Sequence, residues 1–94
     1  MDVTTGQARR VGFIGLLLEK REGVEAVNRL LSDHAELILA RVGLPRHERG
    51  VAVITLVVEA TTDELGELTG RLGVLPGVSV KSALSKEHKR NLRG

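Results

Sequence analysis

Residues 51–60 read VAVITLVVEA, a run that is apolar at odd and even positions alike. Strict alternation marks a strand with one wet face, whereas a continuous run marks a strand buried on both. This strand therefore belongs in the middle of a sheet, and both faces of that sheet need cover. With 94 residues the chain makes one domain, whose core is thin. Phe13 is its single aromatic residue, so the core is built from Val, Leu and Ile.

The rest of the chain supplies the other elements. Residues 1–8 are polar and aperiodic and are read as a flexible N-terminus, 9–84 as the folded domain, and 85–94 as a basic C-terminal tail. Arg9 and Arg10 before the apolar run 11–18 superficially resemble an export signal. Glu19, Lys20, Arg21 and Glu22 follow at once, however, and no small-residue cleavage site appears. The run is also far shorter than the ~20 residues that span a membrane. It is read as a first strand, in a protein expected in the cytoplasm with no membrane partner.

Residues 22–34 switch to a helical period. Val24, Val27 and Leu31 share a stripe with Ala35 behind it, and Glu25, Arg29 and Asp33 lie opposite. Residues 36–44 read as a second strand, which Pro45 ends because proline has no N–H to donate. Residues 46–50 form a turn and 51–60 the third strand. Thr61 and Glu64 have capping-box spacing and open a helix over 61–72 with a stripe of Leu65, Leu68 and Leu72. Pro76-Gly77 predicts a type II turn, and 78–84 a fourth strand. The order βαββαβ predicts an α+β, ferredoxin-like fold: a four-stranded antiparallel sheet with both helices on one face.

That fold sharpens the opening problem. If Ile54, Leu56 and Val58 face the helices, Val51, Val53, Thr55 and Val57 face away from them. Phe13 and Leu17 alternate with Ile14, Leu16 and Leu18 in the same way. Both helices keep a charged outer stripe, and no second helical layer remains to cover the far face. An exposed aliphatic sheet of that extent predicts a homodimer or higher homo-oligomer, with Val51, Val53, Thr55 and Val57 at the interface.

Charge and residue type narrow the chemistry. The tail carries Lys86, Lys89, Arg90 and Arg93 against Glu87, while the other 84 residues carry ten basic and eleven acidic side chains. The alkaline balance belongs to the tail, so a nucleic-acid partner gains little support from the folded body. The absence of cysteine excludes disulfides, thiolate metal sites and cysteine nucleophiles. His34, His47 and His88 are too scattered to suggest a metal site within one chain, and His34 fits a structural role at a helix end. No nucleophile–base pair, carboxylate dyad or metalloprotease helix can be picked out, so no catalytic residue is assigned and an enzyme is not expected. The loop RVGLPRHERG gathers Arg41, Arg46, His47 and Arg49, which suit a carboxylate or phosphate ligand. The alternative is a solvated hairpin tip. The three arginines are expected near a subunit boundary, meeting an anion there. Gly66 and Gly70 sit within a helix, where glycine is costly, and predict close packing by the first helix or a neighbouring subunit, or a wall for a small ligand.

Taken in order, the strand followed by LEKRE, then RVGLPRHERG, VVEATTDELGELTGRLGVLPGV and VKSAL resemble a small bacterial family over residues 10–84. It is the iron-only hydrogenase system regulator family, with an ACT-like, ferredoxin-like fold similar to the C-terminal domain of nickel-responsive repressors. The resemblance implies a regulator, and it carries no catalytic residues, cofactor or ligand residues across. The cysteine that nickel repressors use is missing, as is an attached DNA-binding segment. The expectation is a non-enzymatic, homo-oligomeric protein that senses a small-molecule effector. The alternatives are a DNA-associated transcription regulator using the Arg-rich loop and tail, and a structural adaptor of an enzyme assembly.

Overall fold

A computed structural model describes residues 8–45, 48 and 50–86, and among these the chain forms two helices and four strands. The elements are β1 (Arg10–Leu18), α1 (Gly23–Asp33), a 3-10 turn (Ala35–Leu37), β2 (Ile38–Leu44), β3 (Ala52–Ala60), α2 (Thr62–Gly73) and β4 (Val78–Leu84). The sheet order is β2-β3-β1-β4 and every pairing is antiparallel. This is the ferredoxin-like arrangement predicted from the order of elements. The two strands that are apolar on both faces, β1 and β3, occupy its centre.

Register fixes which side chains share a face, because directly paired residues point the same way. Ile14, Leu16 and Leu18 pair with Leu56, Ile54 and Ala52, and meet Val27 and Leu31 of α1 and Leu68 and Leu72 of α2 in one buried cluster. The other parity of β1 and β3 lies on the open face. Phe13 pairs there with Val57, Gly15 with Thr55 and Leu17 with Val53. Val51 stands just before β3.

α2 begins as its sequence dictates. Thr61 Oγ1 accepts from the Glu64 backbone N–H at 3.0 Å, and the Glu64 carboxylate accepts from the Thr61 N–H at 2.9 Å. Arg9 and Arg10, at the start of the apolar β1 run, clasp this end of the molecule. Arg9 reaches Glu64 bidentately at 3.1 and 2.7 Å, and Arg10 donates to Thr62 Oγ1 at 2.8 Å and to the Ser85 carbonyl at 3.0 Å. The Glu67–Arg71 pair on the outer side of α2 closes at 3.2 Å.

Three local expectations change. The second strand begins at Ile38, because residues 35–37 form a 3-10 turn that buries Leu37 and bonds its N–H to the His34 carbonyl at 3.0 Å. Val24 is exposed, while Gly23, Val27 and Leu31 carry the buried stripe of α1. Gly66 and Gly70 are not packed upon by α1: a Cβ at either would meet nothing within 4 Å. At ~100° per residue both fall opposite Leu68, on the outer face of α2.

Candidate functional site

Where β1 and β2 end and β3 and α1 begin, the helix-facing side of the sheet is left open. Gly43 is the cause. It pairs with Ile54 on the face that α1 covers, and being glycine it sends no side chain toward the helix. A Cβ built there would touch only the Val53 carbonyl oxygen, at 4.0 Å, so the space beside it is free. A groove of about 540 Å³ results, large enough for a small organic molecule. This also explains Val24: the first turn of α1 overlooks a groove where a strand side chain would otherwise meet it.

The floor and walls are mainly apolar, with Leu18, Val24, Pro45, Ala52 and Ile54 among them. The polar groups are unequal in sign. Among the described residues of the lining, Lys20, Arg21 and Arg41 are cationic, Glu19 is the single carboxylate, and Asn28 is neutral. Arg41 lies on the helix-facing parity of edge strand β2, opposite Leu56, and its Nη2 donates to Asn28 Oδ1 at 2.8 Å. That bond holds the guanidinium over the groove and leaves its other N–H groups for an anion. The stem of Lys20 runs beside Gly77, where a Cβ would come within 2.7 Å of Lys20 Cγ. Gly77 has φ of 74°, as the type II turn at Pro76-Gly77 requires, so this turn seats the lysine. An apolar cleft with cations at its rim suits a small molecule with an apolar body and an anionic head.

Of the four residues proposed from the loop, Arg41 joins this groove, while Arg46, His47 and Arg49 lie outside the described residues, as does the tail from 87 onward. Arg41 is drawn to helix α1 by Asn28. Sequence reasoning missed Lys20, Arg21, Asn28 and Gly43. The usable signal was Gly43, a side chain missing from the core-facing row of a strand that is otherwise well filled. His34 caps α1, and its Nδ1 lies 2.9 Å from the Leu30 carbonyl oxygen, so Nδ1 carries the proton there. Among the described residues no three His, Asp or Glu side chains gather as a metal would need, and no helix is long and apolar enough to cross a membrane.

Comparison with known proteins bears on what surrounds this groove. The uncharacterized protein TM1266 from Thermotoga maritima has a solved structure similar to this chain, with 35% sequence identity and a TM-score of 0.78 over 83% of this chain and 99% of that one. Two more distant structures share the fold alone. An unknown protein from Galdieria sulphuraria is 13% identical with a TM-score of 0.57, over 86% of this chain and 48% of that one. A functionally unknown protein from Pediococcus pentosaceus ATCC 25745 is 7% identical with a TM-score of 0.54, over 89% of this chain and 99% of that one. No curated protein matches the chain. One family matches residues 10–82, from the start of β1 into β4, and so takes in every element that shapes the groove. By that match the chain belongs to the TM1266-like family, described as "Iron-only hydrogenase system regulator, putative".

Proposed function

We propose that this chain is a regulatory protein, not an enzyme, which works as a homo-oligomer in the cytoplasm and senses a small molecule with an apolar body and an anionic head. The family description supports the regulatory part. The single observation that carries the ligand is the groove beside Gly43, with its apolar walls and the Arg41–Asn28 pair at its rim. A regulator needs a site that binds without reacting, and the groove offers charge and shape with no nucleophile–base pair among the described residues of its lining.

A thermal-shift titration of the full chain tests the reading, with acetate, hexanoate, phenylacetate and inorganic phosphate as probes. A ligand that binds only the folded state raises its melting temperature in proportion to ln(1 + [L]/Kd). Hexanoate and phenylacetate are expected to stabilise more than acetate or phosphate at equal concentration. Run beside it, a salt-titrated DNA-binding assay tests the other reading. Steep loss of DNA binding with salt, together with no shift from any carboxylate, would favour a nucleic-acid role and contradict the proposal.

A further inference from the structure

The open face of the sheet is apolar, and it spends the chain's one aromatic residue there instead of in the core. Phe13 is 47% exposed, and Leu17, Val57, Val42 and Leu44 are exposed around it. The charged side chains within the described strands on this face are Glu59 and Lys81, and their placement is specific. Glu59 pairs with Val11, two residues before Phe13, on the strand to one side. Lys81 pairs with Gly15, two residues after Phe13, on the strand to the other side. Phe13 therefore lies midway between an acid and a base on a face otherwise made of apolar and small polar residues.

From this arrangement we infer that the face is covered by a second copy of the chain, related by a two-fold axis that passes at Phe13 in the plane of contact. Such an axis, set across the Glu59–Lys81 line, brings Glu59 of each protomer opposite the partner subunit's Lys81 and stacks Phe13 against its own copy. Self-complementarity of this kind is what a two-fold interface requires, because each patch must satisfy its own image. An unrelated partner would have no reason to meet an acid and a base disposed symmetrically about one aromatic side chain. At about 4.8 Å between strands and 3.3 Å per residue the face measures roughly 20 by 25 Å, at the small end of stable interfaces. An interface of this size is expected to make association concentration-dependent. The inference takes up the homo-oligomer of the proposed function and is independent of the ligand groove, which lies on the helix side.

Sedimentation equilibrium on the full chain, over a concentration series at low salt, tests it. The native protein is expected to double its mass with rising concentration. Phe13→Lys, at a side chain half exposed in the single chain, is expected to keep its circular dichroism spectrum and to dissociate at least about tenfold more readily. Glu59→Lys or Lys81→Glu alone turns two attractions into two repulsions and is expected to weaken association roughly threefold to tenfold, and the double swap restores it. Monomer mass at every concentration overturns the inference. So does a dimer that Phe13→Lys leaves intact, or a double swap that fails to restore association. A hexanoate thermal shift on the Phe13→Lys monomer separates this failure from failure of the ligand reading, since the described residues that line the groove belong to one protomer.

Discussion

Replacing glycine by alanine has opposite consequences at different positions of this chain, because each glycine is there for a different reason. At Gly66 and Gly70 a methyl group enters open space on the outer face of α2. Alanine there removes backbone freedom from the unfolded chain and should stabilise the fold by about 0.5–1 kcal/mol per site, raising Tm by several degrees. A loss of stability instead would mean that something outside the single chain presses on those glycines. At Gly12 the same methyl would collide with the Ala83 carbonyl oxygen, where β4 pairs with β1. Gly12→Ala should therefore cost about 1–3 kcal/mol in denaturant unfolding. Gly43 is the third kind, a glycine whose missing side chain makes a site. Gly43→Leu has room for its Cβ and would fill the groove against Ile54. Stability should hold or rise while the hexanoate-induced shift disappears, and a retained shift would place the ligand elsewhere.

At the scale of elements, α2 is the most completely specified, and most of its specification was visible in advance. Thr61 and Glu64 close the capping box, and Leu68 and Leu72 fill the core. What the sequence concealed was Arg9, because its bond to Glu64 joins residues 55 apart and no local pattern announces it. The pair sets a pH dependence. Glu64 is held below its ordinary carboxylate value, first by the hydrogen bond from Arg9 and then by the Thr61 N–H. A carboxylate with a lowered folded-state pKa contributes stability that is present above its unfolded value, about 4.3, and lost as pH falls through the folded one. Glu64→Gln should therefore be less stable than the native chain at pH 7, and the gap should close on acidification. Because Glu64 and Arg9 are both partly exposed, added salt should narrow the gap as well. Equal stability of the two proteins at all pH values would show that the clasp contributes nothing. β2 was harder to read. The 3-10 turn before it and the bulge between Ile38 and Ala40 break the two-residue period at its start, so its boundary came out two residues early. That bulge leaves Leu39 exposed at the sheet edge.

For the whole molecule, the order of elements and the central place of β1 and β3 followed from hydrophobic periodicity alone, because two-faced strands can only sit inside a sheet. The helix-facing core followed for the same reason, apart from Val24. The groove did not follow, since it depends on where the first turn of α1 falls relative to one glycine on an edge strand, a relation between residues 24 and 43 that periodicity does not carry. The loop arginines drew attention by their number, yet Arg41 acts with Asn28 of α1. The molecule thus has two unlike surfaces: a charged-rimmed cleft on the helix side and an apolar sheet opposite. The central claim is that the cleft is where this protein meets its effector. Amide chemical-shift mapping during a hexanoate titration of the full chain tests that claim most directly. Saturable shifts are expected to concentrate at Lys20, Arg21, Val24, Asn28, Arg41 and Gly43, with the Phe13 and Val57 amides on the far face unmoved. Shifts centred on the open sheet face, or no saturable shift at millimolar hexanoate and phenylacetate, would contradict it.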